Sequence, residues 1–270
     1  MAATDEPISS DPGLRYSVNG AVATITLDRP HAKNAFTLDT IDAWVDSLQR
    51  AAKDDAIRAI VLTGSGDAFC AGIDLAVLDE ADKTALARKR ILTDRIHQVG
   101  LTLEQIDKPT IAAINGVAVG AGLDMALLCD IRVAARSARM SEGYIRAGLV
   151  PGDGGAWLLP RLVGPAKAME LLLTGAFITG DEAAALGLVN HAVDPADLMT
   201  FTYDLANRIA ASPPVQLAMI KRLVKQAERL DLRTHFDLVS SHMGIVSTLE
   251  DSAEAIAALR EKRPGRYNGR

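Results

Sequence analysis

The sequence is short of metal-binding and cross-linking groups. It has two cysteines, Cys70 and Cys129, and five histidines, His31, His97, His191, His235 and His242, none with zinc-like spacing. No metal site is expected. It also lacks a basic block or stripe: the formal charge is −5, with acids and bases mixed along the chain. That argues against nucleic acid as the main partner, while leaving room for a locally basic pocket around a phosphorylated ligand. No apolar run is long enough for a membrane span. The longest, residues 111–123, is short and Gly-rich and ends at Asp124. The N-terminal stretch MAATDEPISSDPG is polar and acidic, the opposite of a secretion signal. A cytoplasmic setting with free cysteines is therefore expected, and Cys70 reads as a packing thiol because no histidine lies near it in sequence. No internal repeat or low-complexity linker is visible.

The residues that are present suit a globular chain. Apolar residues make up 49% of the 270, yet the mean hydropathy is only +0.12, a soluble composition. Residues 1–13 read as a loose tail. Residues 16–18 and 21–27 read as a strand pair turned at Asn19-Gly20. Thr37 is placed to cap a helix over 38–53, where Ile41, Trp44, Val45 and Leu48 follow a 3.6-residue period. A buried strand over 57–63, one or two amphipathic helices over 76–106, a strand over 110–114 and a strand over 131–134 follow. Helices are expected over 156–162 and 166–173, with a short one from Thr179 to Gly187 and a last strand over 188–193. From residue 198 the apolar spacing is helical throughout.

Two stretches stand apart. Residues 108–132, KPTIAAINGVAVGAGLDMALLCDIR, give a buried strand, a glycine-containing turn and a helix starting near Gly120-Ala121-Gly122. Residues 66–75, GDAFCAGIDL, repeat the arrangement after the strand over 57–63. A helix start has backbone N–H groups with no internal partner, and small residues let a ligand oxygen approach them. Each turn alone is an ordinary packing device. Two of them, each after a buried strand, can aim two donors at one oxygen, which is the geometry of an oxyanion hole.

These stretches, together with GLVPGDGGAWLLPRLVG and TGAFITGDEAAALGLVNHAV, occur in the order in which they resemble the enoyl-CoA hydratase/isomerase (crotonase) family. The resemblance covers roughly residues 14–195 and continues into a compatible helical tail. It implies an α/β fold: a crotonase-type spiral of β-β-α units over 14–197, with a helical trimerisation region over 198–270. It implies acyl-CoA thioester substrates, no separate cofactor because coenzyme A is part of the substrate, and a homotrimer or homohexamer. Carried over position by position, the oxyanion donors are the N–H groups of Ile73 and Ala121. Ala71, Gly72, Asp74, Gly120 and Gly122 surround them, and Lys33 and Ala35 lie in RPHAKNAF, where the family binds the phosphate and adenine end of coenzyme A.

The acid–base positions depart from the family pattern. Hydratases of the family use two carboxylates. The first falls on Asp124, one methylene shorter than the usual Glu, and it heads the candidate catalytic residues. The second falls on Tyr144, which with an ordinary pKa of about 10 is a poor base but a usable donor. Asp153, in the Gly-rich turn, ranks second, one position later than the Asp that some isomerases of the family carry. Glu142 would share a strand face with Tyr144 if both lay on one strand. Asp130 reads as a structural turn carboxylate. Enoyl-CoA hydration is the expected activity, but with Tyr144 at the second position turnover on a simple short enoyl-CoA is expected to be slow or absent. Double-bond isomerisation, thioester or C–C hydrolysis, and acyl-CoA binding with little turnover are the alternatives.

Overall fold

The computed structural model describes residues 4–6, 13–80 and 84–270. Strands β1 (Thr4–Glu6), β2 (Leu14–Asn19) and β3 (Val22–Leu27) open the chain. The expected hairpin at Asn19-Gly20 joins β2 to β3, and β1 pairs with β2. Thr4–Glu6 is thus ordered in a sheet where a loose tail was expected; residues 1–3 and 7–12 of that tail lie outside the described residues. Helix α1 (Leu38–Lys53) has the predicted bounds. Thr37 accepts a hydrogen bond from the Thr40 N–H and the two form a capping box, while Ile41, Trp44 and Leu48 are buried.

Beyond α1 the chain runs through repeated turns. β4 (Ala59–Gly64) is followed by β5 (Ala68–Cys70), then α2 (Leu75–Glu80), α3 (Ala85–Arg90), a π-helical turn at Ile91–Ile96 and α4 (His97–Gln105). β6 (Thr110–Ile114) is followed by β7 (Val117–Val119) and α5 (Ala121–Leu127). β8 (Ile131–Ala135) is followed by β9 (Arg139–Ser141), a 3-10 turn at Gly143–Ala147, α6 (Gly155–Val163) and α7 (Pro165–Thr174). β10 (Ile178–Thr179), α8 (Gly180–Ala185) and β11 (His191–Val193) complete this part, and α9 (Leu198–Ala210), α10 (Pro214–Ala227), α11 (Leu232–Val246) and α12 (Glu250–Glu261) end the chain.

The first strand of each turn joins a seven-stranded sheet in the order β1-β2-β3-β4-β6-β8-β11, and the second joins a four-stranded sheet in the order β10-β9-β7-β5. This is the expected β-β-α spiral. The neighbours β4, β6 and β8 are parallel, as are β5, β7 and β9. Their buried faces explain the near-continuous apolar reading of 59–63 and 110–114. The C-terminal ends of β5, β7 and β9 therefore lie side by side, and the chain leaves each of them through a turn.

The helical tail divides in two. α9 packs on the large sheet: Leu198, Thr202, Leu205 and Ala206 are buried, and the Tyr203 hydroxyl meets that of Thr24 at 2.9 Å. It belongs to this chain's own core. α10 is fastened by basic side chains. Lys221, buried, pairs with Asp130 at 2.7 Å and donates to the Lys108 carbonyl at 2.9 Å. Asp130 also accepts from the Thr110 N–H and hydroxyl, so it is the structural carboxylate expected. α11 buries no residue; Leu232, Phe236, Met243 and Ile245 on it are exposed, as are Ile220 and Val224 on α10 and Ile256 and Leu259 on α12.

Candidate active site

The turns leaving β5 and β7 press against one another. Gly72 has φ +95, and a Cβ there would sit 3.1 Å from the Val119 carbonyl oxygen and 3.8 Å from the Ala121 nitrogen. A Cβ on Gly122 would lie 2.2 Å from the Cys70 carbonyl oxygen. Glycine at 72 meets the left-handed backbone, and glycine at 122 meets the close approach. The Ile73 segment is pinned on both sides, because the Phe36 N–H donates to the Gly72 carbonyl and the Asp74 N–H donates to the Phe36 carbonyl, both at 2.9 Å. The N–H groups of Ile73 and of Ala121, the first residue of α5, have no hydrogen-bond partner among the described residues. Cys70 is buried and donates to the Asn34 carbonyl; burial pushes its thiol up to about 12, so it is a packing thiol and not a nucleophile.

A loop over residues 29–36 braces the first turn. Arg29 binds Asp74 at 2.9 Å and the Ala35 carbonyl at 2.5 Å. Asn34, buried with φ 57, donates to the carbonyls of Ser65 and Ala68. Neither residue carries a signal of this bracing role in the sequence beyond its place in RPHAKNAF, between a strand and a capped helix. Lys33 lies on the surface, ion-paired with Asp67. Both side chains of that pair are exposed to solvent.

The acid–base residues converge, although not as the sequence suggested. Tyr144 does not share a strand face with Glu142, because β9 ends at Ser141 and Glu142 leads into the 3-10 turn that carries Tyr144. The turn brings the Tyr144 hydroxyl between two carboxylates, 2.6 Å from Asp124 Oδ2 and 3.0 Å from Asp153 Oδ2. The Gly-rich turn brings Asp153 back toward Asp124, so that both carboxylates lie within hydrogen-bond reach of the Tyr144 hydroxyl. Asp124 is fully buried, as is nearly all of Glu142. Burial first, then the charge of Asp124, holds the Glu142 carboxyl far above its ordinary range. Burial also raises Asp124, against the Tyr144 hydrogen bond, and raises Asp153, against Tyr144 and the nearby His97. The phenol of Tyr144 is pushed up by burial and by the carboxylates, so it is a neutral donor. His97, unremarked in sequence, meets the Gly152 carbonyl at 2.7 Å through Nε2; a carbonyl only accepts, so that nitrogen carries the proton.

A cavity of about 300 Å³ opens over these groups. Ile73, Ile91, Leu92, Ile96, Leu149 and Val150 give it an apolar wall, and the π-helical turn supplies three of these. Gly72, Gly120 and Ala121 form its edge, and Tyr144 and Asp153 are its polar floor, with Arg88 also lining it. Asp124 does not line the cavity. Its Oδ2 meets the Tyr144 hydroxyl, while Tyr144 and Asp153 line the space. Among the described residues no cluster of His, Cys, Asp and Glu could hold a metal.

Comparison with known proteins identifies the family. The family described as enoyl-CoA hydratase/isomerase matches residues 17–270. The chain is 35% identical over 245 residues to a short-chain-enoyl-CoA hydratase of Clostridium acetobutylicum, covering 90% of this chain and 93% of that protein. It is 34% identical over 258 residues to a 1,2-epoxyphenylacetyl-CoA isomerase of Escherichia coli, covering 94% and 97%. The crystal structure of an enoyl-CoA hydratase from Bacillus anthracis superposes with a TM-score of 0.89 at 30% identity, covering 96% of this chain and all of that one. In sequence, in its two-sheet spiral and in the paired turns at the cavity's edge, the chain belongs to the enoyl-CoA hydratase/isomerase family.

Proposed function

We propose that this protein binds acyl-CoA thioesters and performs hydratase/isomerase chemistry through an enolate-like intermediate. The observation that carries this is the pair of unpartnered N–H groups, Ile73 and Ala121, on two contacting turns at the edge of an apolar cavity floored by Tyr144 and Asp153. The thioester oxygen lies between the two N–H groups, which stabilise the negative charge it gains. The acyl chain runs along Ile91, Leu92 and Ile96. Coenzyme A is part of the substrate, and no further cofactor takes part. Among the described residues no helix is long and apolar enough to cross a membrane.

Hydration is the first reading. Asp153 takes a proton from a water as its oxygen adds to the acyl β-carbon and returns that proton to the α-carbon of the enolate; the Tyr144 oxygen, whose one proton goes to Asp124, accepts from the same water. The names of the hydratase relatives support this reading. Double-bond migration is the second reading, favoured by one observation: the position that the resemblance gives to the second hydratase carboxylate is Tyr144, a neutral donor, which leaves Asp153 as the one carboxylate lining the cavity among the described residues. A panel of acyl-CoA thioesters followed by mass spectrometry in heavy water separates the two. A gain of one water is expected for 2-enoyl-CoA substrates. Deuterium exchange without water gain points to isomerisation, and failure to bind any acyl-CoA refutes the proposal.

The exposed apolar residues of α10, α11 and α12 are the surface for self-association into a trimer or hexamer. Sedimentation at micromolar concentration is expected to show one of these assemblies, and a monomer throughout refutes it.

A further inference from the structure

Glu142 is the one acid of the site that touches neither cavity nor donor. It is 2% exposed, and neither of its carboxyl oxygens has a hydrogen-bond partner among the described residues. Asp124 Oδ1 is buried and unpartnered in the same way. The two carboxyls meet over the start of α6: a Cβ placed on Gly155 would lie 2.5 Å from Asp124 Oδ1 and 2.6 Å from Glu142 Oε2. The groups facing the pair are Tyr144, Asp153 and the Gly155 N–H, with Asp153 in turn facing His97. No lysine or arginine is among them. Two adjacent carboxylates cannot both be ionised in so dry a place, so one of them carries a proton. Asp124 already accepts from the Tyr144 hydroxyl and faces the Gly155 N–H, both of which favour its ionised form. Glu142 has no such donor, so the proton sits on Glu142, and Asp124 Oδ1 is the acceptor it faces.

We propose that Glu142 is a positioning residue: as a neutral carboxylic acid it donates a hydrogen bond to Asp124 Oδ1 and so fixes Asp124 as the ionised acceptor of the Tyr144 hydroxyl. Tyr144, held from behind, keeps its oxygen turned to Asp153 and the cavity floor. The kinetic consequence rests on the acyl-CoA reading above, whereas the protonation state does not.

Two variants test it, Glu142→Gln, which donates but cannot ionise, and Glu142→Ala, which does neither. The first measurement is thermal unfolding across pH, which needs no substrate. Glu142 has its folded value raised from 4.5 to about 9, so the folded protein holds a proton that the unfolded chain releases. Its contribution to stability is full below 4.5 and is lost as pH rises toward 9. Glu142→Gln lacks that loss, so its Tm is expected to gain on the wild type as pH goes from 5 to 8. A difference that stays flat over that range overturns the proposal. The second measurement is kcat against pH on the best acyl-CoA. Glu142→Ala is expected to lose about tenfold or more, with its acid limb moved to higher pH, because a hydrogen bond to a buried charge is gone. Glu142→Gln recovers most of that rate, and its profile lacks the alkaline fall that the wild type shows as Glu142 ionises. Equal loss in both variants overturns the positioning role. If Glu142→Ala does not fold, the pH-dependent Tm of Glu142→Gln and its alkaline limb decide alone. A widening Tm difference in a protein that turns over no acyl-CoA supports the proton assignment and refutes the acyl-CoA reading.

Discussion

Asp153→Asn is expected to lower kcat on the best acyl-CoA substrate by about 10²–10⁴-fold while leaving substrate binding nearly intact. Asp153 lines the cavity with Tyr144, and it is the carboxylate with access to a water or an acyl carbon. The amide of Asn keeps the shape and can still meet the Tyr144 hydroxyl, so the fold survives and only the proton chemistry is lost. Burial holds the Asp153 carboxyl above its ordinary value of 3.8, against the hydrogen bond from Tyr144 and the nearby His97. The wild-type rate is therefore expected to fall on the acid side at a pH above 3.8, and the variant to lose that limb. Asp124→Asn is expected to cost less, because Asp124 acts through the phenol. If Asp124→Asn abolishes turnover while Asp153→Asn keeps it, the assignment of the cavity-facing base is wrong.

Much of this site was legible in the sequence, for a physical reason. The two glycine turns come after strands that are nearly all apolar, residues 59–63 and 110–114, and buried parallel strands leave that mark. Thr37 and the 3.6-residue spacing of Ile41, Trp44 and Leu48 fixed α1 to the residue. What could not be read is what depends on neighbours distant in sequence. β5, β7 and β9 have three residues each, too short for any period to register, and they exist because each lies beside another strand. The turns they feed read correctly as turns, yet the strands themselves passed unnoticed. The same holds for the acids. Asp124, Glu142 and Asp153 were each visible as candidates, but their arrangement depends on how the 3-10 turn at Gly143–Ala147 brings the Tyr144 hydroxyl to Asp124. His97 carried no signal, since its partner is a backbone carbonyl 55 residues away.

Gly122→Ala is expected to reduce kcat by about 10²–10³-fold, the cost of misplacing one oxyanion donor. The added Cβ would stand 2.2 Å from the Cys70 carbonyl oxygen, 2.7 Å from its carbon and 2.8 Å from the Cys70 Cβ. These atoms end β5 and cannot rotate aside as a side-chain tip does, so α5 and the β5 turn must separate. Ala121 sits on one of those elements and Ile73 on the other, so the two N–H groups move apart together with their supports. Because the donors serve the charge that grows on the thioester oxygen, the loss falls on kcat more than on KM. A steric control exists in the same protein. A Cβ on Gly100, in α4, would approach Leu128 Cδ1 at 3.0 Å, a side-chain end that can yield. Gly100→Ala therefore tests a tight small-to-large change away from the turns, and turnover close to wild type is expected from it. Circular dichroism and Tm separate a folded Gly122→Ala from a collapsed one. A folded Gly122→Ala that turns over acyl-CoA at the wild-type rate would place the charge-stabilising donors somewhere other than Ile73 and Ala121.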